Sequence, residues 1–63
     1  MTHKEWTRAA KAAKALKGQT YGDIAGALYY DTNYIACVIS GSKRSKRCEK
    51  VVSNYLGIDA PTN

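Results

Sequence analysis

Gln19-Thr20-Tyr21-Gly22-Asp23-Ile24-Ala25-Gly26-Ala27-Leu28-Tyr29-Tyr30-Asp31-Thr32-Asn33-Tyr34-Ile35-Ala36-Cys37-Val38-Ile39-Ser40-Gly41 is the stretch that decides the fold. Thr20 and Asp23 have the spacing of a capping box, with Asp in place of the usual Glu, so a helix begins at Tyr21. Ile24, Ala25 and Leu28 give that helix an apolar stripe. Gly22 and Gly26 weaken it, each by up to ~1 kcal/mol relative to Ala, so this short element leans on its neighbours. Tyr29-Tyr30-Asp31 supplies a break, and Asp31 caps a further helix over 32–40 with Ile35, Val38 and Ile39 on its inner side. The opposite face presents Thr32, Asn33, Ala36, Cys37 and Ser40, all small and uncharged. Ser40-Gly41-Ser42 ends the helix.

Working outward, Trp6, Ala9, Ala13 and Leu16 recur at three- and four-residue steps and predict a helix over 4–17. Thr2 or His3 caps its start, and Gly18 stands where a left-handed C-terminal residue is wanted. On the other side a basic loop, Gly41-Ser42-Lys43-Arg44, leads to a helix over 46–56. Ser45 is its cap, Cys48, Val51, Val52 and Tyr55 form its apolar stripe, and Gly57 closes it. These elements predict an all-α, compact four-helix domain over residues 1–58, followed by a loose C-terminal tail at 59–63.

The chain has 63 residues, 44% hydrophobic and 24% charged, which is ordinary for a folded domain and too apolar for a disordered segment. A domain of this size hides only about 60% of its unfolded surface, so a deep catalytic pocket is not expected, and no enzyme is. Five carboxylates, a single histidine and no phosphate-cradling glycine loop point the same way. Cys37 and Cys48 lack C-x-x-C spacing and His3 stands at the N-terminus, so no metal site or cofactor is expected. No run approaches the roughly 18 apolar residues of a membrane span, and the start of the chain has no signal-peptide core, so a cytoplasmic protein with reduced thiols is expected.

The net charge of +5 favours a polyanionic partner. Its distribution narrows the choice. Lys4, Arg8, Lys11, Lys14 and Lys17 form one group, Lys43, Arg44, Lys46, Arg47 and Lys50 another, and residues 18–42 contain no cation. Two short helices joined by a tight turn, the second with a small polar outer face, suit insertion into a groove about 12 Å wide. For the first group the plainer alternative is a solvated helix face.

Gln19-Thr20-x-x-Asp23-Ile24-Ala25-x-x-Leu28, then Tyr34-Ile35-x-x-Val38-Ile39-Ser40-Gly41, with Leu56-Gly57-Ile58 beyond, resembles the phage repressor and Cro class of helix-turn-helix regulators. The likeness extends over roughly residues 4 to 58. It implies a lambda-repressor-like helix-turn-helix fold whose third helix enters the major groove of double-stranded DNA. It also implies a sequence-preferring regulator of transcription, a repressor of phage type. An excisionase-type factor or an antitoxin would share this surface, and a protein-docking module would share the fold.

Carried over position by position, Thr32, Asn33, Ala36, Cys37 and Ser40 are the expected base contacts. Asn33 can pair with adenine N6 and N7, a contact worth about 1–3 kcal/mol of discrimination; a solvated or capping role is its alternative. Cys37 either meets a thymine methyl or is simply small and exposed. Thr20, Tyr21, Lys43, Arg44, Lys46 and Arg47 are the expected phosphate contacts. Trp6 and Cys48 are expected in the core. Tyr55, Leu56 and Ile58 are the expected pairing surface of a weak homodimer assembled on DNA, unless they fold back beside Trp6. The class usually carries Gly four residues after Ala25, where this chain has Tyr29. The turn therefore needs a left-handed tyrosine or a different path.

Overall fold

The computed structural model describes residues 1–62, which form four α-helices and no strand. These are α1 (His3–Leu16), α2 (Tyr21–Leu28), α3 (Thr32–Ser40) and α4 (Lys46–Leu56). The last three match the expected bounds. Against the expected 4–17, α1 starts and stops one residue earlier, and both ends have local causes. Thr2 is the N-cap and forms a full capping box: Glu5 N–H donates to Thr2 Oγ1 at 3.2 Å, and Thr2 N–H donates to Glu5 Oε1 at 2.8 Å. At the other end Gly18 is left-handed, so its N–H reaches Ala15 O while Gln19 N–H reaches Lys14 O.

α3 packs against all three other helices, with α1 on one side and α2 on another, and α4 closes the bundle against the rest. The core is Trp6 and Ala10 from α1, Ile24 and Ala25 from α2, Ile35, Val38 and Ile39 from α3, and Cys48, Val52 and Leu56 from α4. Two positions of the expected α1 stripe are corrected. Ala10, not Ala9, is fully buried, because the inner line follows four-residue steps back to Trp6. Leu16 is 88% exposed, since the helix ends there with no neighbour to cover it. On α4 the inner line runs through Cys48, Val52 and Leu56, leaving Val51 and Tyr55 half-buried.

Two polar residues of α4, Glu49 and Ser53, are buried with this core. Ser53 Oγ accepts from the Trp6 indole N–H at 2.7 Å and donates to Glu49 O at 2.6 Å. Its hydroxyl thus satisfies the one polar group of the largest core side chain.

The turn between α2 and α3 takes the left-handed option. Tyr29 has φ 61° and ψ 38°, its N–H bonds to Ala25 O, and Tyr30 N–H bonds to the same carbonyl at 2.9 Å. Its side chain is 96% exposed, so no packing offsets the backbone cost of a non-glycine residue there. At the far end of α3, Gly41 (φ +92°) lies against α1. A Cβ at Gly41 would sit 3.3 Å from His3 Cε1, a tight contact, and the positive φ favours glycine there in any case.

Candidate nucleic-acid interface

The outer face of α3 follows from its inner one. With Ile35, Val38 and Ile39 buried, Thr32, Asn33 and Ser40 are exposed and Ala36 and Cys37 half-exposed. The five expected base-contact residues therefore share one surface. Asp31, not Asn33, caps the helix: its Oδ2 accepts from Asn33 N–H at 3.0 Å and Tyr34 N–H at 3.3 Å. Ser40 donates its hydroxyl to Cys37 O at 3.2 Å, and its oxygen lies 3.3 Å from the Ser42 hydroxyl. Cys37 O also takes the N–H groups of Gly41 and Lys43, fixing where the basic loop leaves the helix.

Beside this face stands the start of α2. A Cβ at Gly22 would be 3.8 Å from Thr32 Oγ1, so the first turns of α2 and α3 adjoin. Thr20 Oγ1 accepts from Asp23 N–H at 3.1 Å and Thr20 N–H donates to Asp23 Oδ2 at 2.9 Å. That box leaves the Tyr21 and Gly22 N–H groups without an acceptor inside the helix. The Asp23 carboxylate puts a negative charge on the same turn.

Lys43, Lys46 and Arg47 are exposed. Lys43 Nζ lies 5.3 Å from the centre of the Tyr34 ring, and Tyr34 stacks on Tyr30 at 5.6 Å. Arg44 is arranged differently: its Nε–H donates to Glu49 Oε2 at 3.1 Å. The same oxygen accepts from Ser45 N–H at 3.2 Å and lies 3.6 Å from His3 Nε2. Glu49 thus braces the basic loop from within. Sequence reading missed it, because a glutamate beside lysines on a helix looks like a solvated residue.

The expected pairing residues are folded back. Leu56 is 3% exposed and belongs to the core that contains Trp6, while Tyr55 and Ile58 pack half-buried against it. Tyr55 OH donates to Gln19 Oε1 at 2.7 Å. Of the segment 59–62, Thr62 N–H and hydroxyl both donate to Met1 O, at 2.8 and 2.9 Å. A cleft of about 240 Å³ lies between α4 and this segment, lined by Lys46, Glu49, Lys50, Ala60, Pro61 and Thr62.

Among the described residues, no group of three His, Cys, Asp or Glu side chains is placed to hold a metal ion, and no helix is long and apolar enough to cross a membrane. Burial, and then the Glu49 charge, push the Cys48 thiol up from its ordinary range. Cys37, on the α3 face, is half-exposed. No protein-family model, curated protein or solved structure matches the chain.

Proposed function

We propose that this chain is a DNA-binding regulator of transcription that seats α3 in the major groove of double-stranded DNA. One observation carries the reading: the outer face of α3 is small and uncharged, and the exposed Lys43 lies over Tyr34 at its border, with exposed Lys46 and Arg47 following in the chain. Uncharged donors and acceptors suit base edges, whereas cations suit phosphates. Thr32, Asn33, Cys37 and Ser40, with Ala36, are the base-reading set. Thr20 and Tyr21 at the start of α2, with Lys43, Lys46 and Arg47, are the phosphate set, and Arg44 acts chiefly through Glu49. A protein-docking face would want apolar groups where Asn33 and Ser40 stand.

A single recognition helix with few polar contacts gives limited discrimination against genomic competitors, so two copies on a two-fold site belong to the reading. With Leu56 in the core, a second copy meets only the outer edges of Tyr55 and Ile58. Half-sites then lie about ten base pairs apart. Work in the cytoplasm accords with two free thiols. Selection of bound fragments from a random duplex pool with purified protein tests the whole. An enriched near-palindromic motif is the expected result, and recovery of unenriched sequence with no salt-dependent retention overturns it.

A further inference from the structure

We infer that Lys14 and Lys43 grip the phosphates of the two DNA strands that border α3, each held in place on the face of a tyrosine. This rests on the DNA-binding reading and adds to it a cation from α1 and two aromatic supports.

The geometry is paired. Lys14 Nζ lies 4.8 Å from the centre of the Tyr21 ring, and Lys43 Nζ lies 5.3 Å from that of Tyr34. Tyr21 opens α2 directly before Gly22, whose position abuts Thr32, so the first pair belongs to the helix start that adjoins the Thr32 edge of the reading face. Tyr34 marks the other edge. Around α3, Thr32 and Ala36 border the buried side in one direction and Tyr34 borders it in the other, with Asn33, Cys37 and Ser40 between. The uncharged face therefore has one lysine-tyrosine pair on each flank. A major groove likewise has one phosphate strand on each flank.

The tyrosines have a physical purpose in this arrangement. A free lysine samples many rotamers and loses that freedom when it binds a phosphate. The ring's negative face attracts the ammonium and narrows the sampling before DNA arrives. Stacking on Tyr30 at 5.6 Å restrains the Tyr34 ring in turn.

Charge balance at each flank singles out these lysines. At the α2 end the free N–H groups share their turn with the Asp23 carboxylate, so a phosphate there needs a cation, and Lys14 supplies it from a different helix. In the basic loop Arg44 is engaged with Glu49, and Lys43 is the neighbour aligned with α3.

The test is fluorescence anisotropy on a selected duplex between 50 and 200 mM salt, using Lys14→Gln, Lys43→Gln, the double variant, and Arg8→Gln as an exposed α1 control. Each single lysine variant should reduce the slope of log K against log salt by about 0.9, and the double variant by about 1.8. The control should leave it unchanged. Tyr21→Leu and Tyr34→Leu should bind about two- to fivefold more weakly than Tyr21→Phe and Tyr34→Phe at an unchanged slope. Binding by the wild type with a slope indifferent to Lys14 and Lys43, or equal effects of Leu and Phe, overturns the inference alone. Absence of binding to every duplex overturns the DNA reading with it.

Discussion

Arg44 Nε and Glu49 Oε2 are 3.1 Å apart, and the partners differ sharply in exposure: 47% for the arginine side chain against 1% for the glutamate. Removing one partner is therefore not equivalent to removing the other. Arg44→Ala leaves a carboxylate inside the bundle with its strongest donor gone, and should destabilise by about 1–3 kcal/mol. Glu49→Gln removes the buried charge at nearly constant volume and should cost less. Urea denaturation of both variants checks the order, and a larger loss for Glu49→Gln would refute it.

Ser53→Ala should destabilise by about 1–3 kcal/mol, because it strands the Trp6 indole N–H in the core. Ser53→Thr retains the hydroxyl and separates this loss from simple crowding. Equal stability of wild type and Ser53→Ala would show that the bond contributes nothing net.

Tyr29→Gly should stabilise the fold by about 1 kcal/mol, since glycine relieves the left-handed backbone and the exposed ring loses no packing. Tyr29→Val, branched at Cβ, should move the thermal midpoint the other way.

The two thiols should separate under alkylation at neutral pH, with Cys37 reacting first. Cys48 is buried and its thiol is pushed further from the reactive thiolate. If α3 enters DNA as proposed, a selected duplex should protect Cys37 from the reagent, and undiminished labelling in the complex would count against the groove placement.

Acid should release the α1 capping box. Hydrogen bonds from Thr2, the backbone N–H first, hold the Glu5 carboxyl below its usual range, aided by the N-terminal amine and Arg8. A folded-state pKa below the unfolded one contributes stability above the ordinary glutamate range and loses it as pH falls through the lowered value. The stability gap between wild type and Glu5→Gln should therefore be present at neutral pH and vanish in strong acid. A pH-independent gap would assign it to something other than ionisation.

What could be read before the structure follows the range of the forces involved. Thr20, Asp31 and Ser45 mark helix starts through contacts within three residues, so those bounds were plain in the sequence. Ile24, Ala25, Ile35, Val38 and Ile39 were plain too, since periodicity alone turns the small polar residues of α3 outward. Glu49 and Ser53 were not, because their partners Arg44, His3 and Trp6 come from elsewhere in the fold and their polarity argues for solvent. Lys14 looked like one of five similar cations until the bundle set it over Tyr21. For Leu56 the sequence allowed both a pairing surface and a return to the core, and only the packed bundle separates them.

Thr2, Thr20, Asp31 and Ser45 each satisfy a backbone N–H at the start of their own helix. The consequence is kinetic. Every helix carries its own start signal, and the connections between successive helices are short, so little loop-closure entropy has to be spent before contacts form. Chains of this local topology fold on the microsecond to millisecond scale, and among the described residues no strand edge waits for a distant partner during the search. The contact that closes the greatest length of chain in the core is the Trp6 indole on Ser53, which ties α4 to α1 across 47 residues.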